Sequence, residues 1–214
     1  MSQSTAHPKK NGAEKKSILP SDPSRRFWVT TACAVGGVTG VATAVPFVGS
    51  FAPSASARAA GAPVEVDLTT IAPGEMRTVE WRGNPIWVMH RTEAQLASLE
   101  PLNNQLADPF SNRPGFTPDY AQNEWRSIVP EYFVCIAICT HLGCVPTPRF
   151  TPGAQPGLPS DWAGGFFCPC HGSTFDLAGR VFANKPAPDN LEIPPYHVSA
   201  DGTRLVVGVA PDEA

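Results

Sequence analysis

Cys139-Thr140-His141-Leu142-Gly143-Cys144 is answered, 24 residues after its last cysteine, by Cys168-Pro169-Cys170-His171-Gly172-Ser173. Each box holds two cysteines, one histidine and a glycine, and the second adds a proline. Such segments do not continue a helix or a central strand and read as loop tips. Each tip follows a short apolar run, Glu131 to Ile138 before the first and Phe166-Phe167 before the second, so the boxes sit at the ends of buried strands. Two tips facing each other offer thiolates and imidazoles to one centre. Zinc accepts Cys2His2 in a tetrahedral cage. A mixed-ligand iron-sulfur cluster takes thiolate on one iron and imidazole on the other, leaving two cysteines over. The familiar zinc spacing, C-x2-C with H-x3-H, uses every cysteine, whereas here C-x-H-x2-C faces C-x-C-H. The residues alone leave both metals open.

Together the boxes resemble the Rieske 2Fe-2S domain of respiratory and photosynthetic quinol oxidases of the cytochrome bc type. The match covers six cysteine and histidine positions and the Gly and Ser that follow the second histidine. The resemblance implies one 2Fe-2S cluster, with Cys139 and Cys168 on one iron, His141 and His171 on the other, and a Cys144–Cys170 disulfide. It makes His171 the residue that takes a hydrogen bond and proton from ubiquinol, His141 the second exposed ligand, and Leu142 an apolar contact against a cytochrome b subunit. Ser173 falls where a hydroxyl bonds a bridging sulfide. Phe175 falls where the family often has a tyrosine donating to a ligand sulfur, so that donor is missing. Lys185-Pro186-Ala187-Pro188 resembles the proline loop that covers the cluster. The implied role is the electron-transfer subunit of a dimeric quinol–cytochrome c oxidoreductase that hands electrons to cytochrome c1, the isolated chain being an electron carrier. Two alternatives keep the motif or its residues but change the role: the Rieske small subunit of a periplasmic oxidase such as arsenite oxidase, and a zinc-stabilised, membrane-tethered binding module.

Outside the boxes, 214 residues suit one domain with appendages. Residues 1–26 carry six Lys and Arg against Glu14 and Asp22, although the whole chain has a formal charge of −3. A basic tail on an acidic body points away from nucleic acid and towards membrane topology. Residues 1–24 lack periodicity and read as a disordered cytoplasmic tail. Arg25-Arg26 then precedes a run without charge from Phe27 to Ala57, so 25–49 reads as a twin-arginine-like signal anchor and membrane helix. A cleaved signal has a shorter apolar region, roughly 7–15 residues, and a span needs about 20, so length favours a retained anchor in lipid. The positive-inside rule places the N-terminus in the cytoplasm and the remainder in the periplasm of a bacterial inner membrane. That compartment permits a disulfide. Gly36 and Gly40 give a close-approach spacing within the span, and Cys33 reads there as a small buried apolar residue. Residues 50–63, mostly Ala, Ser, Gly and Pro with one Arg, read as a flexible hinge.

Residues 64–214 are expected to be mostly β, an antiparallel Rieske-type sandwich whose cluster-binding part runs over about 134–188. Val64 to Leu68 alternates as a strand does; Thr78 to Trp81 and Ile86 to His90 read as strands around an Arg82–Pro85 turn; Tyr196 to Val209 folds on Asp201-Gly202. Thr92 caps a short helical stretch. Cys135, His90 and His197 lie in strands and read as packing residues rather than ligands. The breaker-rich loops 103–122 and 145–165 suggest no function.

Overall fold

The computed structural model describes residues 22–214 in two units divided after Ser54. Most of the expected tail, residues 1–21, lies outside the described residues. The first unit is built on α1, Pro23–Gly49. It starts two residues before the expected anchor because the Asp22 carboxylate accepts from the Ser24 backbone N–H at 2.9 Å and Pro23 occupies the first helical position. Twenty-seven residues at 1.5 Å each give about 40 Å, enough to cross a hydrocarbon core of about 30 Å with some tilt. No α1 side chain is buried within the chain, Cys33 included, and the mean hydropathy of its most apolar window is 1.6. The hydroxyls of Thr30, Thr39 and Thr43 donate to carbonyls one turn back, so these three polar groups are met within the helix. By length and composition α1 is a candidate membrane span.

The second unit begins with α2, Ala55–Ala60, a six-residue helix within the segment read as a hinge. Three antiparallel three-stranded sheets follow. In the first, β1 (Val64–Asp67) pairs with β9 (Arg204–Val207), which pairs with β8 (Tyr196–Val198), so the unit's first strand is closed by its last. The second is a meander of β2 (Met76–Trp81), β3 (Asn84–His90) and β4 (Tyr132–Ile136). The β2–β3 turn is tighter than expected: only Arg82 and Gly83 make it, both at positive φ, while Asn84 and Pro85 already pair with Trp81 and Glu80. Two such residues match the twist of a hairpin. The third sheet is β5 (Thr147–Arg149), β6 (Gly165–Cys168) and β7 (Ser173–Phe175). β5 lies in the proline-rich 145–165 insertion; Pro148 is accommodated because β5 is an edge strand with a free N–H side.

Phe166 joins the second and third sheets. Its ring stacks on Trp87 at 4.8 Å and lies 6.3 Å from Phe133, all three buried, so the strand carrying Cys168 is seated on the meander. The short helix α3, Glu93–Ala97, has the expected Thr92 cap, reinforced by Gln95 donating and accepting in a capping box.

The 103–122 loop is held by a short β-bridge between Leu106 and Phe182 and by buried side chains. Arg180 is fully buried, pairs with Asp176 at 2.7 Å and donates to Asn103 Oδ1 and the carbonyls of Leu99 and Pro109. Arg126 donates to the carbonyls of Ala178 and Leu191 and to Thr117 Oγ1. Arg91 gathers the carbonyls of Pro130 and Trp125 and the Ser127 hydroxyl. Burial lowers the pKa of Arg91 and Arg126 to about 10, so both remain cationic at neutral pH. Carbonyl acceptors meet much of the desolvation that a buried guanidinium incurs.

Candidate metal centre

β4 leads the chain into the first box through Ala137, whose N–H donates to Pro85 O at 2.8 Å. Gly143 N–H then donates back to Cys139 O at 3.0 Å, and Cys139 N–H donates to Cys144 O at 2.7 Å, closing the turn on itself. The second box repeats the device. Gly172 N–H donates to Cys168 O at 3.0 Å, and the box is the hairpin loop between β6 and β7, with Cys168 paired opposite Ser173. Gly143 and Gly172 have φ of 81° and 78°, and a Cβ on either would touch nothing within 4 Å. Glycine is therefore required for backbone conformation and not for space.

The two turns are tied by a Cys144–Cys170 disulfide, whose Cα atoms are 6.8 Å apart. Cys168 Sγ lies within 4.8 Å of both of its sulfurs. Cys139 and Cys168 are each only 2 % exposed. Cys168 and the Ser173 hydroxyl are the side chains beside the Cys139 sulfur that act on its thiol. His141 and His171 stand on the outer side, their ring centroids 4.7 Å apart and edge to face, with His171 the more exposed. Burial pushes the Cys139 thiol above its ordinary pKa; the His141 backbone N–H and Ser173 hydroxyl pull the other way, and the neighbouring Cys168 adds to the rise. Loading a metal here must displace thiol protons. Two sulfurs inward and two imidazoles outward fit a cluster with unlike irons, with one nitrogen of each ring left to face out. Two thiols with two imidazoles are also a donor set of the kind zinc takes, so donor type by itself does not choose.

Above the boxes passes the segment Lys185-Pro186-Ala187-Pro188-Asp189. Ala187 N–H donates to Ser173 Oγ at 2.9 Å, and Thr140 Oγ1 donates to Asp189 O at 2.6 Å, so the segment is fastened to both boxes. Thr140 and Asp189 escaped the sequence reading because their contact crosses 49 residues and neither belongs to a metal-ligand pattern. Leu142 is 70 % exposed at the tip of the first box, and Val145 beside it is 49 % exposed, a second apolar residue that a Pro-rich neighbourhood concealed. Phe175 is fully buried. The other two described histidines find partners elsewhere: His90 Nδ1 meets Ile71 O at 2.7 Å and its ring packs on Tyr132, while His197 Nδ1 lies 3.3 Å from Val209 O. Cys135 is buried in β4, where burial pushes its thiol up to about 12.

The Rieske [2Fe-2S] domain matches residues 121–196, which hold both boxes and the segment above them. The chain is also 53 % identical over 186 residues to the ubiquinol-cytochrome c reductase iron-sulfur subunit of Allochromatium vinosum, covering 86 % of this chain and 87 % of that protein. The chain belongs to the family of Rieske iron-sulfur subunits of ubiquinol-cytochrome c reductase. The subunit of Rhodospirillum rubrum is 40 % identical over 91 % of this chain and 98 % of its own. The mitochondrial Rieske subunit of the cytochrome b-c1 complex of Neurospora crassa is 37 % identical over 85 % of this chain and 69 % of its own. Membership decides what donor chemistry left open: the group of a Rieske subunit is a 2Fe-2S cluster, and two thiols with two imidazoles are the donor types it takes.

Proposed function

We propose that Cys139 and Cys168 hold one iron and His141 and His171 the other, and that the chain carries single electrons from ubiquinol bound at a cytochrome b subunit to cytochrome c1. The observation that supports this best is the asymmetry of the site, with buried thiols behind and two imidazoles, 4.7 Å apart, at a tip that also exposes Leu142. When bound, the cluster supplies one-electron chemistry, in the range of roughly −150 to +300 mV for His-ligated centres.

The remaining chemistry belongs to the chain. His171, the more exposed ring, accepts a hydrogen bond from a quinol hydroxyl on its outward nitrogen and takes the proton there. His141 holds the adjacent outward position. Leu142 gives the tip an apolar contact with cytochrome b. The Ser173 hydroxyl, buried beside Cys139, stabilises negative charge on sulfur, whereas Phe175 brings no donor, which places the potential towards the lower end for bc-type subunits. Within the dimeric complex the chain contributes the electron-carrying part of a quinol–cytochrome c oxidoreductase.

α1 anchors the chain in the lipid of a bacterial inner membrane as a single pass, with the N-terminus cytoplasmic and residues 64–214 periplasmic. Residues 50–63 act as the tether. Fully extended, fourteen residues reach about 45 Å; with the six residues of α2 helical, the reach is about 35 Å. That length permits the centre to visit one partner and then the other.

The test uses the full chain purified with its anchor. Reduced protein should give the rhombic paramagnetic resonance signal of a His-ligated 2Fe-2S centre, and its assembled complex should reduce cytochrome c with quinol. A His171→Ala variant should lose both the signal and the activity. A colourless parent protein with stoichiometric zinc would overturn the proposal.

A further inference from the structure

The segment above the metal centre has an outer face as well as an inner one. Its inner contacts are those of Ala187 with Ser173 and of Asp189 with Thr140. On the outer face, Arg113 Nη1 donates to Pro188 O and meets the Asp189 carboxylate at 3.0 Å. One residue on, Asn190 Nδ2 donates to Asp108 O at 2.9 Å and to Ser111 Oγ at 3.2 Å, while its Oδ1 accepts from Val181 N–H at 2.9 Å. Arg113, Asp108 and Ser111 all belong to the 103–122 loop.

That loop is itself braced where it delivers Arg113. The Asp108 carboxylate, nearly buried, accepts from the backbone N–H groups of Asn112 at 2.9 Å and Arg113 at 3.0 Å. Ser111 is buried at a φ of 55°, a left-handed conformation that a non-glycine residue keeps only when its surroundings hold it. Behind the brace stands Arg180, fastening Asn103 and Pro109 to the buried Asp176. An arm braced by these bonds thus runs from the core to Arg113, which meets the cover segment at Pro188 and Asp189.

We propose that the 108–113 arm clamps the 185–190 segment onto the two metal-binding boxes, and that Arg113 is a positioning residue which, through Pro188 and Asp189, fixes the Ala187–Ser173 and Asp189–Thr140 hydrogen bonds at the centre. Arg113 is half-exposed, so its ion pair with Asp189 contributes little as a charge pair alone. Its effect is geometric, because one nitrogen holds two acceptors of the same short segment. Loosening the clamp frees the Ser173 hydroxyl from the Ala187 N–H and lets it turn away from the neighbouring Cys139 sulfur. Turning that hydroxyl dipole away from the sulfur and losing a nearby cation both disfavour the added electron, so both lower the midpoint.

The inference rests on the 2Fe-2S reading of the site, and the two fail separately. The parent protein's reduced-state spectrum checks the cluster, whereas amide exchange checks the clamp. The experiment compares cluster-loaded full-length protein with Arg113→Ala, Arg113→Gln and Arg113→Lys. Readouts are hydrogen exchange at the Ala187 amide, exchange at the Val134 amide in β4, and the midpoint potential by voltammetry. Arg113→Ala should speed exchange at Ala187 about tenfold and lower the midpoint, with Val134 unchanged, as expected for a local opening. Arg113→Gln, which keeps much of the side chain, should move both readouts in the same direction and serves if the alanine variant does not accumulate. Arg113→Lys should stay near the parent. Unchanged Ala187 exchange overturns the proposal, including when the midpoint falls, since that is a charge acting through space. A parallel rise at Val134, or faster Ala187 exchange with an unmoved midpoint, overturns it as well.

Discussion

Replacing both Cys144 and Cys170 by serine removes the cross-link while changing little else. Cys170 is exposed and Cys144 only partly covered, so packing loss is small and the cost falls on the unfolded chain. The bridge joins residues 26 apart in sequence. A closed loop of that length corresponds to roughly 3.5 kcal/mol of lost unfolded-state entropy at 25 °C. For a unit of this size, that amounts to a fall in Tm of about 7–14 °C. The assay is urea unfolding of cluster-free protein in detergent, followed by fluorescence of the buried Trp81, Trp87 and Trp162. The midpoint should move to lower urea, and reduction of the parent by dithiothreitol should reproduce the shift. In loaded protein the same change should also hasten cluster loss, because nothing else covalent then joins the turns once a ligand lets go. An unchanged midpoint in the cluster-free variant would refute the reasoning, for it would mean that the bridge does not restrict the unfolded ensemble.

Three further outcomes follow from individual residues. Phe175→Tyr should raise the cluster midpoint by roughly 40–65 mV, the equivalent of one hydrogen bond of about 1–1.5 kcal/mol in a one-electron couple; voltammetry giving an unchanged or lower value would sink the idea. Asp176→Asn leaves the buried Arg180 cation without its carboxylate and should cost about 3–5 kcal/mol in chemical denaturation. A cost under about 1 kcal/mol would show that the carbonyls of Leu99 and Pro109 suffice to hold Arg180. Cys135, buried with its thiol raised to about 12, should resist iodoacetamide at pH 8 in folded protein and react in denaturant; peptide mass spectrometry showing native labelling would contradict its burial.

The reading of the strands succeeded where pattern and position coincide. β4, β6 and the β8–β9 hairpin lie where apolar runs and Asp201-Gly202 put them, because alternation and turn chemistry are local properties. β5 was hidden since Pro148 and the prolines flanking it argue against a strand; its place at a sheet edge tolerates Pro148. The 103–122 loop was opaque for another reason. Its order comes from Arg126, Arg180 and Asn190, whose partners are as distant as 82 positions along the chain, and a buried arginine looks in sequence like any surface one.

By itself, the sequence determined the two boxes, the identity of the four candidate ligands, the apolar run that became α1 and the antiparallel character of residues 64–214. These are set by residue type and short spacing, which survive without a third dimension. The Cys144–Cys170 bridge, implied by the family resemblance, is present in the structure; the tertiary structure alone decided that Cys139 and Cys168 are buried behind the histidines and that Thr140, Ser173 and Arg113 converge on one cover segment. Those facts depend on which turn packs against which. That packing is set by cooperative burial of residues far apart in the chain, such as Phe166 on Trp87 and Phe133, and no local window contains it.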